Sequence, residues 1–97
     1  MIIGVDIGGT KTLVAEFTDN GKILREKRFS TSKKYSDFIS ALRETVESMD
    51  LHHVEAVCAA VPGLLDRRRG LVKALGNLGW RNKPIRKDIR SMFDTDH

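Results

Sequence analysis

The 97-residue chain is short of most residues that stabilise small domains from outside the core. It has one cysteine, Cys58, so no intramolecular disulfide can form, and a reducing cytoplasmic setting is expected. It has two prolines, Pro62 and Pro84, which excludes a proline-rich linker or tail. There is one tryptophan, one tyrosine and four phenylalanines, and no internal repeat. That excludes a solenoid or an array. No apolar run approaches the roughly 18–20 residues of a membrane span, and the N-terminus lacks a basic leader with a small-residue cleavage site, so no membrane role is expected. His52-His53 has no Cys, Asp or Glu at ligand spacing, so the pair carries no zinc pattern.

What is present is an ordinary globular composition, 40% hydrophobic and 31% charged. A chain of this length makes one small domain and buries only about 60–65% of its unfolded surface. The net charge is +4, from 17 basic and 13 acidic residues. The basic residues are spread along the chain, clustered at Arg25 to Arg28, Lys33 to Lys34, Arg67 to Arg69 and Arg81 to Arg90. No helix-turn-helix pattern, paired Cys/His ligands or aromatic-basic strand signature accompanies them, and nucleic acid is not an expected partner. The run Arg67 to Arg69 reads as a solvated loop.

Hydropathy sets the order of elements. "IIGVDI" from Ile2 is a short apolar strand ended by Gly8-Gly9, and "TLVAEFT" is a second, with Leu13, Ala15 and Phe17 on one face. "DNG", Asp19 to Gly21, is a hairpin turn in which Asn and Gly accept positive φ. "KILREKRF" is a third strand whose charges suit a sheet edge. Tyr35, Phe38, Ile39, Leu42, Val46 and Met49 then form one helical stripe of about four turns, with Ser32 or Ser36 placed to cap it. "VEAVCAAV", Val54 to Val61, fits a strand buried on both faces and parallel to the first, with Cys58 a small core residue.

From Pro62 to Trp80 the chain makes an excursion, with turns at Pro62-Gly63 and near Gly70. Short extended pieces around Leu64-Leu65 and Leu71 to Ala74 pair within it, and Asp66 reads as a turn residue. Asn82 and Pro84 open a second helix that buries Ile85, Ile89 and Met92 or Phe93. The order β-β-β-α-β-(excursion)-α leaves the apolar fourth strand with no further strand beside it. The sequence is expected to be cut, with a bare edge for another chain to cover.

The chemistry concentrates in "DIGGTKT", from Asp6. Gly8 and Gly9 let backbone N–H groups approach anionic oxygens, Thr10 adds a hydroxyl and Lys11 a positive charge. Asp6 can hold Mg²⁺ beside the phosphates. A P-loop is excluded, because its spacing needs lysine at position 10, where Thr10 stands, and because a strand rather than a helix follows.

"DIGGTKT" resembles the first phosphate motif of actin-like and hexokinase-like ATPases, and more closely that of the ROK family (repressor, open reading frame, kinase). "AVPGLLDRRRGLVKALGNLGWRNKPI", Ala60 to Ile85, is similar to the family's stretch containing Val-Pro-Gly and then Asn-Leu-Gly-Trp. The likeness covers essentially all 97 residues and about the first third of a typical member. It implies an α/β fold, the N-terminal half of an actin-like ATPase (ribonuclease H-like) domain, with a mixed β-β-β-α-β-α sheet lacking its last strand. It implies ATP and Mg²⁺ at Asp6, Gly8, Gly9, Thr10 and Lys11, and a sugar pocket lined by Pro62, Gly63 and Asn77. For Asn77 simple loop capping is the other reading, and for Trp80 the choice is between bordering the sugar and anchoring packing.

The chain departs from the family at Ala60, where glycine is common, and at Ala74, Leu75 and Gly76, where many members carry a hydroxyl residue and a proline before Asn-Leu. The family's catalytic base is an Asp in an Asn-Asp pair, and no such pair occurs here, so no catalytic residue is assigned. The expected function is the phosphate- and sugar-binding lobe, residues 1 to 97, of a ROK-type hexose or N-acetylhexosamine kinase, inactive alone. The alternative is a non-catalytic module that pairs with itself, as a homodimer, or with a partner over the Val54–Val61 edge. Transcriptional regulation is a third reading, weakened because only five residues precede Asp6, where the family's repressors carry a DNA-binding domain.

Overall fold

A computed structural model describes residues 1–51, 53–61, 64–66, 68–74, 78 and 80–93. The strands are β1 (Ile2–Ile7), β2 (Lys11–Phe17), β3 (Ile23–Ser30), β4 (Ala56–Ala60), β5 (Leu64–Asp66) and β6 (Leu71–Ala74), and the helices are α1 (Tyr35–Ser48) and α2 (Ile85–Arg90). One four-stranded sheet has the order β3-β2-β1-β4, and β5 and β6 pair separately. β1, β2 and β3 are antiparallel neighbours, and β4 returns parallel to β1 after α1. The mixed sheet expected from hydropathy is therefore present, and so is the antiparallel β5–β6 pair.

Alternation gives the sheet two unlike faces. Ile3, Val5 and Ile7 of β1 and Thr12, Val14 and Glu16 of β2 are all buried and paired in register, so they share one face. α1 covers that face with Phe38, Leu42 and Val46, spaced four apart, and Met49 extends the stripe. Trp80, Leu78, Ile85 and Ile89 complete the same core. Glu16 is buried at 3% exposure because Arg25, directly across on β3, grips it with two bonds of 3.1 and 3.3 Å.

Several expectations are corrected. β4 is not buried on both faces: Cys58, Ala59 and Ala60 are exposed, because β4 is the outermost strand of the sheet and α1 covers only one side. Cys58 is accordingly a surface residue rather than a core one. Neither Ser32 nor Ser36 caps α1, whose N-cap is Lys34 without a side-chain bond; the Ser32 hydroxyl instead accepts the Lys34 N–H at 3.1 Å. Asp66 lies in β5, paired with Leu71, rather than in a turn. Pro84 is the N-cap of α2 and not in its first turn, while Asn82 takes a φ of +52° ahead of it. In the β2–β3 turn only Gly21 has positive φ, at +88°, since Thr18 closes the loop through its carbonyl and hydroxyl.

Candidate phosphate turn

β1 ends on Asp6 and Ile7, and β2 begins one residue earlier than hydropathy suggests, at Lys11 rather than Thr12. The reason is a ladder bond: the Gly8 N–H donates to the Lys11 carbonyl at 2.9 Å, which draws Lys11 into the strand. The connection is therefore a tight hairpin through Gly9 and Thr10. Gly8 is required here by proximity rather than by torsion angle. A Cβ at Gly8 would sit 2.7 Å from the Lys11 carbonyl oxygen, and that oxygen belongs to the backbone and cannot swing away.

Asp6 pairs with Leu13, and Lys11 lies two residues before Leu13, so both side chains belong to the sheet face opposite α1. Both are exposed. Arg28, also exposed, follows in the same cross-strand row as Asp6 and Leu13. Hydropathy alone had marked Arg28 only as an edge charge. On its other side Asp6 pairs with Ala60, so the chain leaves parallel β4 beside the turn. Ligands of open α/β sheets are held at the carboxyl ends of parallel strands, the place this turn occupies.

The turn is braced from β3. The Thr31 N–H donates to the Thr10 carbonyl at 2.8 Å, and the hydroxyls of Thr12 and Thr31 bond at 2.7 Å in the buried layer. Thr31 escaped the sequence reading; the hydroxyl run Ser30-Thr31-Ser32, opposite Thr10 and Thr12, is the signal that marks it.

Pro62, Gly63 and Asn77 lie outside the described residues, as do His52 and Arg67. Trp80 is resolved in favour of packing: it is 1% exposed, its indole N–H donates to the Lys33 carbonyl at 3.0 Å, and its ring packs on Phe38 at 4.6 Å and edge-on to Tyr35 at 5.3 Å. Tyr35 in turn donates to Asp88 of α2 at 2.6 Å. Burial, and then this bond, push the Tyr35 phenol well above its ordinary range.

Asp6 offers a single exposed carboxylate at the turn. Among the described residues no group of three His, Cys, Asp or Glu side chains converges. Among the same residues no helix is long and apolar enough to cross a membrane.

The family model of the ROK family matches residues 2–96. The chain belongs to the ROK family. A solved ROK family glucokinase from Streptomyces griseus, in complex with glucose and AMPPNP, superimposes with a TM-score of 0.82 at 31% identity, over 93% of this chain and 29% of that one. Glucokinase of Streptomyces coelicolor is 29% identical over 94% of this chain and 29% of its own length. N-acetyl-D-glucosamine kinase of Salmonella arizonae is 32% identical over 99% of this chain and 33% of its own length. The chain thus spans about a third of these ROK relatives, and its fold matches the N-terminal part of the ROK kinase structures.

Proposed function

We propose that residues 1–97 are the N-terminal lobe of an ATP-dependent ROK-type hexose kinase acting on glucose or N-acetylhexosamine. The observation that carries this reading is the Asp6–Lys11 hairpin, exposed at Asp6, Gly9, Thr10 and Lys11, at the carboxyl end of β1 beside the parallel strand β4. In the whole enzyme Asp6 would organise Mg²⁺, which supplies charge neutralisation on the transferred phosphate. Gly9, Thr10 and Lys11 would hold the nucleotide phosphates through backbone amides, a hydroxyl and an ammonium, and Gly8, whose N–H is committed to the Lys11 carbonyl, would keep the turn tight enough for that approach. Pro62, Gly63 and Asn77 would line the sugar pocket.

The isolated chain would not turn over, because its sequence has no Asn-Asp base. A missing general base alone costs about 10²–10⁴ in rate, and a missing half-cleft adds lost orientation. Calorimetry with Mg-ATP should give a dissociation constant on the order of millimolar or weaker, weakened further by Lys11→Ala. Equal affinity in the variant, or robust sugar-dependent ADP release by the 97-residue chain, would refute this reading.

A second reading is favoured by the edge position of β4, beside which no further strand pairs among the described residues. The Glu55 N–H bonds the Met1 carbonyl at 2.9 Å, so by alternation the N–H and C=O groups of Ala56, Cys58 and Ala60 point outward. Another strand, from a second copy or a partner chain, could add there. Light scattering at micromolar concentration tests the self-association version: a homodimer abolished by Ala59→Lys supports it, and a monomer rejects it.

A further inference from the structure

We infer that Thr31 is a positioning residue for the phosphate turn, and that residues 31–34 form a strap tying this turn to Trp80 of the core. The inference rests on the phosphate-binding reading above. At one end of the strap Thr31 holds the turn twice, through its N–H to the Thr10 carbonyl at 2.8 Å and through its hydroxyl to Thr12 at 2.7 Å. Thr12 is fully buried and Thr31 is 9% exposed, so water does not compete for that hydroxyl pair. Two residues on, the Lys33 carbonyl accepts the Trp80 indole N–H at 3.0 Å. Trp80 is pinned between Tyr35 and Phe38, and Leu78 beside it is buried in the same core. One short segment therefore makes hydrogen bonds to the phosphate turn and to the buried Trp80.

The arrangement explains why the turn keeps its shape without a helix behind it. A helix N-terminus preorganises a phosphate site by fixing its amides; here β3 and the strap fix them from the side. The hydroxyl pair aligns the turn, while the backbone bond at Thr10 limits its displacement. Thr31→Val keeps the branched shape but leaves the Thr12 hydroxyl buried without this partner. Thr12→Val/Thr31→Val removes both hydroxyls together, and Thr31→Ser keeps the hydroxyl at position 31 and with it the pair.

The test is a titration of the 97-residue chain with magnesium tripolyphosphate, followed by amide chemical shifts, alongside urea unfolding. Thr31→Val is expected to weaken binding at the Gly8–Lys11 amides by roughly three- to tenfold, the range of one hydrogen bond's net value. Thr31→Ser is expected to bind like the wild type. The double variant is expected to regain stability but not affinity, since removing both partners leaves nothing unsatisfied. The Trp80 indole N–H resonance should shift in Thr31→Val, and the Gly8–Lys11 amides should exchange faster. Unchanged affinity in Thr31→Val, recovery of affinity together with stability in the double variant, or an unmoved indole resonance would each overturn the inference. A wild-type chain that shows no shift at these amides would instead sink the phosphate reading. The amide exchange and indole signals then decide the strap separately.

Discussion

Replacing Gly8 by alanine attacks the hairpin at its tightest point. The added methyl would lie 2.7 Å from the Lys11 carbonyl oxygen, the same oxygen that accepts the Gly8 N–H at 2.9 Å. Neither partner is a flexible side chain, so relief requires β1 and β2 to separate where the turn is shortest. Overpacking of this kind costs about 1–3 kcal/mol. In a domain of roughly 60–100 residues each kcal/mol shifts the midpoint by about 4–8 °C, so Gly8→Ala should melt on the order of 5–20 °C below the wild type. Two other glycines serve as controls. At Gly21 there is open space but a φ of +88°, so Gly21→Ala should cost about 1 kcal/mol through strain and leave the phosphate turn intact. At Gly4 the new methyl meets the Phe17 ring at 3.1 Å, and a ring can tilt, so Gly4→Ala should cost less than Gly8→Ala. Thermal unfolding followed by circular dichroism, with tripolyphosphate affinity measured in parallel, separates the three. Wild-type stability and wild-type affinity in Gly8→Ala would refute the close-approach account of this turn.

Other consequences follow from the core. Tyr35 is the single tyrosine, so tyrosinate absorbance reports it alone; it should ionise well above the free value of about 10. Because the folded state holds this proton more tightly, its stabilising contribution is complete below about pH 10 and is lost as pH rises beyond it. Asp88→Asn should lower the midpoint but leave it raised, since burial is the larger cause; a normal midpoint in the wild type would contradict the buried bond. Trp80→Ala should cost about 3–5 kcal/mol, enough to unfold much of a marginal domain, and a urea midpoint near wild type would contradict its place in the core. Arg25→Ala leaves the buried Glu16 carboxylate without its two-pronged partner and should destabilise more than Arg25→Lys; equal stability of all three proteins in urea would show the pair to be inert.

The sequence carried the fold where spacing repeats. The four-residue steps of Phe38, Leu42 and Val46 and the alternation of Ile3, Val5 and Ile7 leave little choice of element or face. It misled where burial depends on neighbours in space. "AVCAAV" reads as a buried strand by composition, yet Cys58 is exposed, because burial is set by what lies beside β4 and not by its own side chains. The turn motif was legible from Asp6 to Lys11, but its brace was not. Thr31 lies nineteen residues beyond Thr12, and only the β2–β3 register brings their hydroxyls together. Trp80 could not be assigned from its type, since an indole suits a sugar face and a core equally; the bond to Lys33 across forty-seven residues decides for the core.

The central claim is that the hairpin from Asp6 to Lys11 grips a polyphosphate. The most direct measurement is an amide chemical-shift map of the chain with magnesium AMPPNP. Saturable shifts confined to Asp6, Gly8, Gly9, Thr10, Lys11 and the adjoining Thr31 are predicted. Shifts clustered instead on the exposed Arg68 and Arg69, or none at all, would contradict it.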